Sequence, residues 1–262
     1  ENILKNASAD DLRGYYRREY VPANTTVMVV GDFDPDVVEA AIKHRFDNWQ
    51  TAPMPAEPDH GPIDIDRQGL TDLFIDPAQD EQFTASRMGA YIDGPDSVAQ
   101  RKTDVLRQIG YSIINRRLTR VARSADAPFR SAGVGTGDIF KNGRMSNLVV
   151  YVPDGGWKKG MEAALAEHRR AMAFGFSKSE VAEQVANIRN SLENGVSGAS
   201  TRSNAALIGA LVRMLGSDLV PTTPASGLAR FEAMESGITP ETVLAAVKVR
   251  ATIWITHRPT IK

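Results

Sequence analysis

Four prolines (Pro53, Pro55, Pro58 and Pro62) stand with Gly61 in residues 51–67, a run with no hydrophobic periodicity. Each proline fixes its own φ and lacks a backbone donor, so neither a helix nor a central strand can pass through. The stretch therefore reads as an extended linker that divides the 262-residue chain into residues 1–50 and 68–262. The second part alone is long enough to bury a core.

Residues 1–50 read helix, strand, helix. Ser8 and Asp11 have capping-box spacing, and Leu12, Tyr15, Tyr16 and Tyr20 follow at helical intervals until Pro22. Residues 25–30, Thr-Thr-Val-Met-Val-Val, read as a buried β-run closed by Gly31-Asp32. Asp34 then caps a second helix, with Pro35 in the position where a missing N–H costs nothing. Val37, Val38, Ala41, Ile42 and Phe46 give it an apolar face. One strand without a partner marks this part as the tail of a larger domain. The chain opens on Glu1 rather than Met and is expected to be a piece of a longer polypeptide.

Beyond the linker, strands are expected over 70–75 and 82–92, then a long helix over about 96–123. A hairpin follows over 129–136 and 148–152, with Asn142-Gly143 as its turn signal. Helices are expected near 155–173, 178–194, 202–215, 225–235 and 240–249, and a last strand over 251–255. Ser177 and Glu180 repeat the capping box, with Phe176 placed to staple against Val181. Strands first and helices afterwards indicate an α+β fold rather than βαβ alternation.

The chemical inventory is thin. There is no cysteine, which excludes disulfides, thiolate metal sites and a cysteine nucleophile. With 31 Lys plus Arg against 32 Asp plus Glu, the net charge is −1, unlike the basic excess of a nucleic-acid binder. No run approaches the ~20 apolar residues of a membrane span. Glu167-His168 has no second histidine within a helical turn, so it reads as a solvated helix face rather than a zinc motif. Asp32, Asp34 and Asp36 begin like a calcium loop, but Val37 and Lys43 occupy its glycine and glutamate positions. Gly133-x-Gly135-x-Gly137 leads into another strand rather than a helix, and so reads as a twisted or bulged β-segment rather than a phosphate cradle. The serines within residues 191–203 suit a helix break better than a nucleophile elbow. Arg116, Arg117, Arg120 and Arg123 form a basic stripe that reads as a solvated face. A dock for an acidic or C-terminal carboxylate is the alternative, and nucleic acid a distant third.

One long pattern goes further. Asp11-Leu12-Arg13-x-Tyr15-Tyr16-x-x-x-Tyr20-x-Pro22-x-Asn24 runs into Val27-Met28-Val29-Val30-Gly31-Asp32-Phe33-Asp34-Pro35 and Phe46-x-x-Trp49. This resembles the junction after the active-site region in the pitrilysin/insulinase family of zinc metallopeptidases. Asn115-Arg116-Arg117-Leu118, Ala127-Pro128-Phe129 and Phe174-Gly175-Phe176-Ser177-x-x-Glu180 resemble that family's following, non-catalytic domain. The resemblance implies a metallopeptidase-type αβ roll, a sheet backed by helices with ferredoxin-like elements. Residues 1–50 would be the end of the catalytic-type domain and 68–262 the non-catalytic one. It implies zinc in the parent, held by a His-x-x-Glu-His motif that this chain lacks, and no zinc here. Its implied partners are an upstream catalytic domain, a downstream second half of the same polypeptide and peptide substrate, with no nucleic acid and no membrane span. A periplasmic or secreted parent is implied, and a role as part of a peptide chamber. The alternative is a catalytically inactive homologue serving as a binding or assembly subunit. Relatives hold substrate with an Arg and a Tyr from a non-catalytic domain. Here Arg123 falls at the Arg position, and Phe129 or Arg130, neither a tyrosine, at the Tyr position.

Overall fold

The computed structural model describes residues 2–50, 52–57, 61, 63–91, 94–217 and 219–251. In chain order its elements are α1 (Asn2–Asn6), α2 (Ala9–Glu19), α3 (Pro35–Phe46), β1 (Gln82–Ala90), α4 (Val98–Ala122), β2 (Ser131–Ile139) and β3 (Gly143–Tyr151). Then come α5 (Trp157–Phe174), α6 (Lys178–Ser197), α7 (Asn204–Ser217), α8 (Pro224–Glu235) and α9 (Pro240–Ala251). They form two compact units: residues 1–60 with 201–221, and residues 61–200 with 222–262. The break at 60/61 lies within the proline-spaced stretch. A linear reading assigns everything after residue 67 to one unit, whereas the fold groups α7 with the first.

In the first unit the local signals act as written. The Ser8 hydroxyl accepts the Asp11 N–H at 3.1 Å while Asp11 accepts the Ser8 N–H at 2.9 Å, so both halves of the capping box form. Asp34 caps α3 through the Asp36 N–H at 2.9 Å, and Pro35 opens the helix. Tyr16 and Tyr20 stack with ring centroids 4.5 Å apart. Leu12, Tyr15 and Val37 remain exposed.

Two expected strands do not form among the described residues. Residues 25–30 and 70–75 take no regular secondary structure, and Leu70, Leu73, Phe74 and Ile75 are largely exposed. A β-prone run becomes a strand only when a neighbour takes its N–H and C=O groups, and neither segment has one. Of the strand expected over 251–255, Ala251 ends α9 and the remainder lies outside the described residues.

The second unit is a three-stranded antiparallel sheet, order β1-β3-β2, with α4 and α5 packed against it. On the central strand β3 every second residue (Ser146, Leu148, Val150) is buried, the period-2 signature of a sheet covered on one face. They meet Ile109, Ile113, Ile114 and Leu118 on α4, Ala164 and Ala171 on α5, and Val243 and Val247 on α9. Gly110 lies where α4 passes α9: a Cβ there would sit 2.2 Å from a Val247 methyl carbon, so only glycine permits the approach. Phe176 and Val181 are both buried, as the staple requires.

The hairpin turn is displaced from its signal. Phe140 and Lys141 take φ of 47° and 57°, and the Asn142 N–H donates to the Ile139 carbonyl at 2.9 Å. Asn142-Gly143 instead receives the linker: the Asn142 amide donates to the Gly61 carbonyl at 3.1 Å, and Ile63 lies against Gly143. Gly133, Gly135 and Gly137 fall within β2, whose pairing with β3 runs one-to-one from Ser131 to Ile139 without the bulge expected there.

Candidate functional site

Arg123 is the C-cap of α4, its N–H donating to the Arg120 carbonyl at 3.3 Å. A turn over 124–127 carries the chain to Phe129, which is 1% exposed and part of the hydrophobic core. Its ring therefore presents no surface to a ligand. It anchors the start of β2 from beneath. Arg130 stands at the surface, 3.2 Å from the Asp80 carboxylate, and its N–H donates to the Tyr151 carbonyl at 2.8 Å. The structure thus separates the three candidates into one core side chain and two surface cations.

Beside Arg130 the sheet bears a shallow groove of about 460 Å³. Ser131, Gly133, Gly135, Asn147, Val149 and Tyr151 line it. These residues alternate with the buried ones, so they belong to the face turned away from α4 and α5. The glycines leave the floor low. The outer edge of β2 is partly closed by Asn115 of α4, whose side chain accepts the Val134 N–H at 2.8 Å and donates to the Val134 carbonyl at 3.1 Å. Such a contact stands in for a neighbouring strand and blocks pairing at that point.

Among the described residues the histidines form no metal centre. His168 is buried in α5, and burial, followed by the nearby Arg169 charge, lowers its pKa. Neighbouring Glu167 is also buried, 3.8 Å from Arg117 and 3.4 Å from Arg170, so this pair faces the interior of the unit and not solvent as its sequence suggested. His44 is exposed on α3, while His60 and His257 lie outside the described residues. Among the described residues no three His, Cys, Asp or Glu side chains cluster to hold a metal ion. A peptidase zinc needs two imidazoles and a carboxylate together, and among the described residues His44 and His168 lie on different helices, α3 and α5.

A feature that sequence reading treated only as a stripe is a polar node between α4, α5 and α6. Arg117 makes two 2.7 Å bonds to the Glu180 carboxylate and a third, 3.1 Å, to the Gly175 carbonyl, and it lies over the Phe176 ring. The Arg117 hydrogen bond is the main cause that pulls the Glu180 pKa down to about 2. Gly175 turns the chain between α5 and α6 at φ 73°, a conformation that favours glycine. The capping-box spacing marked Glu180, but nothing local in the sequence marked its partner 63 residues away.

Among the described residues no helix is long and apolar enough to cross a membrane. No curated protein matches the sequence. Among solved structures the chain is similar to the periplasmic protease PqqL from Escherichia coli, at 17% identity and TM-score 0.71, over 95% of this chain and 27% of that one. It is similar to an insulinase family protease from Yersinia pestis at 15% identity and TM-score 0.73, over 95% of this chain and 54% of that one. A third likeness is to a peptidase M16 inactive domain from Pseudomonas fluorescens, at 18% identity and TM-score 0.62, over 93% and 55%. The chain thus spans between about a quarter and about half of these structures, and at such identities they show the fold alone. The family model of the peptidase M16 inactive domain matches residues 6–188. That span exceeds half of the sequence, and the chain belongs to the peptidase M16 inactive-domain family.

Proposed function

We propose that this chain is a non-catalytic part of a zinc-dependent, insulinase-like endopeptidase and forms part of the wall of its peptide chamber. The observation that carries this reading is the sheet face turned away from α4 and α5, with its low groove along Gly133 and Gly135. An extended peptide laid there meets the side chains of Asn147 and Tyr151 over the low glycine floor without having to displace a core residue. Arg130, one residue before the groove-lining Ser131, is the proposed polar contact, and Arg123 at the end of α4 a second. Zinc and the water-activating glutamate belong to the upstream catalytic domain of the parent. The periplasm is the proposed compartment, in keeping with the likeness to PqqL.

Photo-crosslinking tests this. An unfolded peptide carrying a benzophenone should label residues 131–135 and 147–151, and Tyr151→Ala should weaken the labelling. Labelling spread evenly over the helical surface, or none on the sheet, would remove the chamber-wall role.

A further inference from the structure

The second groove lies on the helical side, about 490 Å³ in volume, between the C-terminal halves of α4 and α5 and the turn into α6. Arg117, Arg120, Glu167, Arg170, Phe174 and Phe176 are among its walls. Of the four arginines in the α4 stripe, Arg116 pairs with Glu183 at 2.5 Å and Arg117 with Glu180. The Arg120 guanidinium has no hydrogen-bond or ion-pair partner among the described residues. Across the groove, Arg170 stands 3.4 Å from Glu167, whose side chain is only 8% exposed. With Arg117 offset by Glu180 and Arg170 by Glu167, the Arg120 charge remains uncompensated at the groove. Beside it Phe174 is 85% exposed, while Phe176 is buried under Arg117. An uncovered aromatic beside an uncompensated arginine is the composition of an interface anchor rather than of ordinary surface.

We infer that this groove docks an extended acidic peptide segment, with its carboxylate on Arg120 and Arg170 and the adjacent apolar side chain on Phe174. The bidentate geometry of guanidinium suits a carboxylate. Net positive charge at the groove selects against basic segments. The Arg117–Glu180–Gly175 node holds the backbone of the groove in place, so binding needs no reorganisation of the fold. This site lies on a different face from the sheet groove and does not depend on the chamber role.

Fluorescence anisotropy on the 262-residue chain tests the inference, using a fluorescein-labelled Glu-Leu-Glu-Phe peptide and its Lys-Leu-Lys-Phe counterpart. The acidic peptide should bind and the basic one should not. Arg120→Ala with Arg170→Ala should weaken binding about tenfold, and Phe174→Ala about threefold, on the scale of interface anchors. All three side chains are exposed, so circular dichroism of the variants should match the parent chain. Comparing amidated and free C-termini separates a terminal carboxylate from an internal one, and a preference for either supports the site. Equal binding of both peptides, undiminished binding by the double variant, or tighter binding of a single-stranded oligonucleotide in the same salt would overturn it.

Discussion

Arg117 and Glu180 join α4 to the first turn of α6 through two parallel 2.7 Å hydrogen bonds. The same carboxylate accepts the Ser177 N–H at 2.9 Å, so one side chain caps α6 and ties it to the long central helix. Both partners are largely shielded from water, with side chains 15% and 19% exposed. Removing one partner of such a pair leaves the other charge poorly solvated. Arg117→Met should therefore lower stability by about 2–3 kcal/mol. Glu180→Gln, whose amide still offers one acceptor, should cost less. Urea denaturation reads both, and a loss below ~0.5 kcal/mol for Arg117→Met would show the pair to be inconsequential.

Acid should weaken the same joint. The folded state holds Glu180 down to about 2 against an ordinary 4.5, so it favours the charged form. Its stabilisation is complete above about pH 4.5 and disappears as the pH falls toward 2. Unfolding midpoints measured across this window should drop more steeply for the parent chain than for Glu180→Gln. Parallel curves would contradict the assignment.

His168 acts at milder pH. Burial lowers its folded pKa below the ordinary 6.5, so below that pH the unfolded chain binds a proton that the native state resists. Stability should fall as the pH is lowered through 6.5, and His168→Gln should remove that part of the slope. An unchanged slope in the variant would place the titration elsewhere.

The α4–α9 crossing gives a test by sign reversal. Gly110→Ala drives a methyl to within 2.2 Å of Val247 and should cost about 1–2 kcal/mol despite the gain in helix propensity. In a Val247→Ala background, with that methyl gone, the same substitution should become neutral or stabilising. Additive losses in the double variant would mean that the two residues do not meet.

The sequence was most legible where the determining contacts are local. Both capping boxes, the Asp34-Pro35 helix start and the run of helices after β3 follow from side chains within a few residues of one another. The α+β class followed from the order of strands and helices, and the family from motif strings in the first unit, in α4 and at the turn into α6. Residues 25–30 and 70–75 misled because β propensity describes the segment, whereas a ladder needs a partner. Asn142-Gly143 misled because a tertiary contact, the linker at Gly61 and Ile63, uses those residues. Arg117 with Glu180, Asn115 on Val134 and the burial of Phe129 are encounters between distant residues, and no spacing announces them. The three candidate substrate contacts came from a family pattern rather than from the chemistry of their neighbourhood, so that pattern could not separate Phe129 in the core from Arg123 and Arg130 at the surface.

The most direct test of the account is peptide hydrolysis by the isolated 262-residue chain, followed with an internally quenched unfolded peptide, with added zinc and then with a chelator. The account predicts no hydrolysis above the uncatalysed rate under either condition, because it assigns the paired imidazoles and the water-activating glutamate to another domain. Zinc-stimulated cleavage that a chelator abolishes would contradict it.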